Sequence, residues 1–115
     1  MKVGVCCHDA GAAEIISSYV MQKNIFPLYC LSGPAIKVFE RKIGTIDNIP
    51  LLDIVKNSDW LLCGTSWKSD LEWNVIKEAK KQQKKIIVFL DHWVNYRERF
   101  IRNNEECLPD EIWVG

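Results

Sequence analysis

The stretch KVGVCCHDAGAAEIISSYVMQ, residues 2–22, decides the fold. Its first seven residues form a short, continuous apolar run, as expected of a strand buried on both faces of a parallel sheet. From Ala10 to Gln22 the period changes. Ala12, Ile15, Ile16, Tyr19 and Val20 recur at the spacing of a helix that packs one stripe against a sheet. The junction between the two carries His8, Asp9 and Gly11, so polar and flexible residues stand where a strand passes to a helix.

The same handover recurs along the chain. IFPLYCLSG, from Ile25, reads as a second strand, with Pro27 unfavourable to its first half. PAIKVFERKIG reads as a helix begun by Pro34 in its first turn and stopped by Gly44. Between Thr45 and Asn57 the pattern is weak: TID is short for a strand and PLLDIVKN suits one or two helical turns. WLLCGTS, from Trp60, is the next strand. A helix follows, with Ser69 and Glu72 at capping-box spacing and Leu71, Val75, Ile76 and Ala79 on its inner face. The KKQQKK tail places positive charge at that helix's C-terminus, where the macrodipole favours it. KIIVFLDH, from Lys85, is a buried strand. WVNYRERFIRNN carries Trp93, Tyr96 and Phe100 at helical spacing, and DEIWVG, from Glu111, opens a last strand. Parallel neighbours need crossovers, and crossover helices must bury their stripes. The fold class expected is therefore α/β, Rossmann-like, with a mostly parallel sheet and helices on both faces.

The 115 residues suffice for one core, so a single domain over residues 1–115 is expected. Fifteen basic and fifteen acidic residues cancel, which argues against nucleic acid and anionic membranes as partners. No apolar run approaches membrane-spanning length and no signal peptide is read, so the expected location is the cytoplasm. Five cysteines fit a reducing compartment as small buried hydrophobes. No metal is expected: Cys6 and Cys7 are adjacent, and a strand sends adjacent side chains to opposite faces.

In a parallel sheet all strands end on one edge, which gathers the polar clusters that follow them. These are His8, Asp9 and Gly11; Ser32 and Gly33; Gly64, Thr65, Ser66 and Trp67; and Asp91, His92 and Trp93. In a doubly wound order the first strand lies beside the Trp60 strand at the topological switch point, where ligands bind. Asp9, Ser66 or Ser69, and Asp91 also suit helix N-caps. The two histidines, each one step past a buried strand, are harder to explain as caps and are candidates to line a site. Trp67 and Trp93 are either core or stacking walls for a sugar or base. Trp60 and Trp113 read as core. No cofactor is expected, because the first loop holds one glycine where the dinucleotide fingerprint needs three, and no phosphate loop is present. Spacing assigns no nucleophile elbow and no Ser-His-Asp set.

HDAGAAE, GTSWKSDLE, LDHWVNYRERF and LPDEIWVG together resemble the N-terminal Rossmann-like half of bacterial GT-B-type glycosyltransferases of surface-polysaccharide biosynthesis. The resemblance implies a domain that holds the acceptor, with a C-terminal half gripping the nucleotide sugar. It further implies a general base on the acceptor hydroxyl, for which His8 or Asp9 match, with Asp91 and His92 as rivals. The C-terminal half is not in these 115 residues, so the chain alone is expected to be catalytically incomplete and to need that domain, or a second copy, beside its last strand. A free-standing module binding a small polar ligand (sugar, phosphate or nucleotide) and a non-catalytic interaction domain are the alternatives.

Overall fold

The computed structural model describes residues 2–64, 70–90, 101–102, 105–106 and 109–114. Strand β1 (Val3–Cys7) passes to helix α1 (Ala10–Gln22), then β2 (Leu28–Leu31), α2 (Pro34–Lys42), α3 (Leu51–Asn57), β3 (Trp60–Cys63), α4 (Leu71–Lys81) and β4 (Lys85–Leu90). Two short strands, β5 (Ile101–Arg102) and β6 (Glu105–Glu106), precede β7 (Glu111–Val114). The main sheet has the order β2-β1-β3-β4-β7, and every pairing in it is parallel. This is the α/β, Rossmann-like sheet with helices on both faces. Its doubly wound order places the switch point between β1 and β3.

Alternation along the strands divides the interior into two layers. Val3, Val5 and Cys7 of β1, with Tyr29, Leu31, Leu62, Ile87 and Phe89, pack under α1 and α2. Cys6, Cys30, Leu61, Cys63, Ile86 and Val88 face the other way, against Ile54 and Val55 of α3 and Val75, Ile76 and Ala79 of α4. Adjacent Cys6 and Cys7 thus enter opposite layers, as a strand requires. The four cysteines among the described residues are free and buried.

Several details differ from the sequence reading, each for a local reason. β2 starts at Leu28, not Ile25, because Pro27 has no N–H for the ladder. The weak stretch before Asn57 holds α3 and one residue, Asn48, that bridges to Tyr29 at the sheet edge. The Asn48 side chain accepts from the Leu31 N–H at 2.6 Å and donates to the Leu31 carbonyl at 2.8 Å, standing in for a neighbouring strand. The helical spacing read across WVNYRERFIRNN does not extend to Ile101 and Arg102, which pair antiparallel with Glu106 and Glu105. The rest of that segment, residues 91–100, lies outside the described residues. Trp60 and Trp113 pack against the first layer but remain half-buried. Trp113, Phe89 and Tyr19 form an aromatic trio with centroids 5.2–6.0 Å apart. Ile112 and Trp113 of the last strand are half-buried as well. No helix among the described residues is long and apolar enough to cross a membrane.

Candidate functional site at the carboxyl edge of the sheet

The ends of β1, β2 and β3 are tied into one edge by backbone hydrogen bonds. Ser32 N–H donates to the Cys7 carbonyl at 3.1 Å, Gly64 N–H to the Cys6 carbonyl at 3.2 Å, and Ala35 N–H to the His8 carbonyl at 3.0 Å. The last of these occupies an N–H in the first turn of α2 that the helix itself leaves without an acceptor. Residues 8–9, 32–35 and 64 therefore form a continuous rim.

His8 is the best-defined side chain on it. The ring Nδ1 lies 2.8 Å from Ser32 Oγ, a contact that holds the imidazole whichever tautomer is present. Gly33 lies against the ring. Its φ of +54° with ψ of −140° is a conformation suited to glycine, and a Cβ there would meet His8 Cε1 at 2.5 Å. His8, Ser32 and Gly33 thus make one unit: Ser32 orients the ring and Gly33 leaves room for it.

Below His8 sits a carboxylate that the sequence reading placed elsewhere. Glu72, with 2% of its surface exposed, accepts the His8 backbone N–H on Oε2 at 2.9 Å. The capping-box spacing with Ser69 had assigned it to the start of its own helix. Instead the N-cap position is Asp70, which makes no side-chain capping bond, and Glu72 reaches across to the β1–α1 junction. The signal was present: Glu72 shares the helical stripe of Val75, Ile76 and Ala79, all buried. Gly64 makes space for this arrangement, since a Cβ on it would lie 2.5 Å from Ala12 Cβ and 3.1 Å from Glu72 Oε2. Burial, and then the neighbouring Glu72, pushes the Cys7 thiol well above its ordinary value. Cys7 is thereby kept a thiol, and its Sγ donates to the Asp9 carbonyl at 3.5 Å.

Asp9 occupies the N-cap position of α1 without making a side-chain capping hydrogen bond, contrary to the capping role its position suggests. Neither α1 nor α2 has an acidic residue in its first turn, and both helices begin at this edge. Gly11 is exposed in the first turn of α1. Of the sequence candidates, His8, Ser32 and Gly33 are in contact, Asp9 and Gly11 adjoin them along the chain, and Gly64 lies across the switch point over Glu72. Thr65, Ser66, Trp67, Asp91, His92 and Trp93 lie outside the described residues. Among the described residues no set of three His, Cys, Asp or Glu side chains is arranged to hold a metal ion.

Such an edge offers an oriented imidazole, a hydroxyl and helix starts that favour negative charge. Chemically it suits proton exchange with a ligand hydroxyl or binding of a small anion. No protein-family model matches the chain, and no curated protein matches it in sequence.

Proposed function

We propose that this chain binds a small polar ligand (a sugar, phosphate or nucleotide) at the carboxyl edge of β1, β2 and β3, as the acceptor-side domain of a glycosyltransferase-like enzyme of polysaccharide biosynthesis. The observation that carries the reading is the His8–Ser32–Gly33 unit beside the switch point. An imidazole held by a hydroxyl at such a place is suited to accept a proton from an acceptor hydroxyl as it attacks. The two helix starts beside it favour a phosphate-bearing ligand. Asp9 stands next to His8 as the second group able to take that proton. Catalysis would need a further domain to supply the donor.

Amide NMR titration with inorganic phosphate, uridine and guanosine diphosphates and their sugar conjugates tests this. The expected result is weak, saturable shifts at residues 8–11, 32–35 and 64, lost in His8→Ala and reduced in Ser32→Ala. Shifts confined to other parts of the sheet, or unchanged in His8→Ala, would dismiss the reading.

A further inference from the structure

One face of the sheet carries a row of thiols that the proposed ligand site does not use. In register, Cys30 of β2 and Cys63 of β3 are the two neighbours of Cys6 on β1, and all three point into the layer under α3 and α4. Adjacent strands are spaced ~4.8 Å apart. That separation lies inside the range of about 4.4–6.8 Å between Cα atoms that a disulfide spans. Thiols at that separation have disulfide chemistry open to them.

The three thiols are not equivalent. Cys6 and Cys63 are wholly buried, whereas Cys30, on the edge strand, keeps 7% exposure. Burial, together with hydrogen bonds to Cys30 and Cys63, pushes the Cys6 thiol well above its ordinary value. The Cys6 hydrogen bond holds Cys30 below its own. Cys30 is therefore the better nucleophile, with a protonated thiol beside it.

We propose that Cys30 and Cys6 are an oxidisable pair, which hydrogen peroxide converts to a disulfide joining β2 to β1. The Cys30 thiolate attacks the peroxide oxygen, the O–O bond breaks, and Cys30 becomes a sulfenic acid with release of hydroxide. Cys6 sulfur then attacks Cys30 Sγ, the S–O bond breaks, and the Cys6 proton leaves with the hydroxyl as water. The hydroxide of the first step takes up the proton lost when Cys30 ionised, giving the second water. The pair loses two electrons and the peroxide gains them, and an external dithiol reverses the bridge.

The test uses the whole reduced chain, treated with hydrogen peroxide at doses that leave its circular dichroism unchanged, then alkylated in denaturant and digested with trypsin. Peptides 3–23 and 24–37 should appear joined, with fragment ions placing the link at residue 6 rather than 7, and dithiothreitol should separate them. Cys63→Ser and Cys107→Ser should keep the link. Cys30→Ser and Cys30→Ala should each lose it, so that one variant suffices if the other does not fold. The proposal is overturned if Cys6 is recovered fully alkylated while Cys30 alone is oxidised. It also fails if Cys6 is joined to Cys63 instead, or if the link forms as readily in the urea-unfolded chain.

Discussion

Replacing Gly33 by alanine separates two effects that the structure superimposes at one residue. The new Cβ would lie 2.5 Å from His8 Cε1, 2.8 Å from Nδ1 and 3.1 Å from Nε2. Ordinary carbon contacts fall at about 3.5–4.0 Å, so the ring must withdraw by roughly 1 Å. A shift of that size breaks the 2.8 Å contact with Ser32 Oγ. Losing it costs about 0.5–1.5 kcal/mol. Independently, an L-residue at φ +54° and ψ −140° is strained, by about 1–3 kcal/mol. Together Gly33→Ala should destabilise the fold by about 1.5–4.5 kcal/mol. In a His8→Ala background only the backbone part remains, because the ring is gone. Urea denaturation of the four proteins of this cycle should therefore return a coupling of about 1 kcal/mol, above the ~0.3 kcal/mol expected of independent sites. Ligand-induced NMR shifts at residues 8–11 should vanish in Gly33→Ala as they do in His8→Ala. A coupling indistinguishable from zero would mean that the imidazole does not rest on Gly33 and that Ser32 does not hold it there.

Glu72→Ala should cost about 1–3 kcal/mol by removing the acceptor of the His8 N–H, and should speed hydrogen exchange of that amide, while Glu72→Gln, which keeps an acceptor, should restore most protection. Asn48→Ala removes two hydrogen bonds to Leu31, each worth about 0.5–1.5 kcal/mol, and should deprotect the Leu31 amide; Asn48→Asp, which keeps only the acceptor, should fall between. The Glu14 carboxyl is held low by Lys42 and Arg41, and that of Glu111 by Lys85 and the Trp113 indole N–H. Folded values below the unfolded ones mean that this stabilisation is complete above the unfolded carboxylate pKa of about 4.3 and is lost as pH falls through the folded values. Lys85, raised by Glu111, behaves in the opposite sense: its contribution is complete below about 10.4 and is lost as pH rises through its folded value. Glu14→Gln with Glu111→Gln should flatten the acid limb of a stability–pH curve, and added salt should do the same, since the carboxylates of all three ion pairs are exposed.

Periodicity carried most of the architecture. β1, β3 and β4 are apolar runs with buried residues on both faces, and a run of that kind followed by a 3.6-residue stripe has few solutions other than a parallel sheet under helices. The site was legible where it depends on chain direction, because parallel strands bring His8, Ser32 and Gly64 to one edge whatever their spacing in sequence. It was not legible where a side chain serves a distant element. Glu72 sits three residues after a serine, and that local pattern describes a cap, whereas its partner is the backbone of a residue in another βα unit. Asn48 was hidden for the same reason: its hydrogen bonds with Leu31 complete a strand edge, and only the edge reveals the role.

The interior place of β1, between β2 and β3, also dictates how the chain can assemble. Gly4 pairs with Leu28 on one side and with Leu61 on the other, so the strand's second neighbour arrives only after two helix-bearing connections have been laid down. Helices α1 and α2 can form from local contacts, but the middle of the sheet must wait for a long loop to close, and such non-local closures slow folding. During that wait VGVCC has one open hydrogen-bonding edge and an uncovered apolar face, a combination that invites pairing with other chains. Val5→Ala should therefore slow refolding more than it accelerates unfolding if β1–β3 closure is the limiting step, and yield on refolding should fall with protein concentration well before native stability becomes limiting.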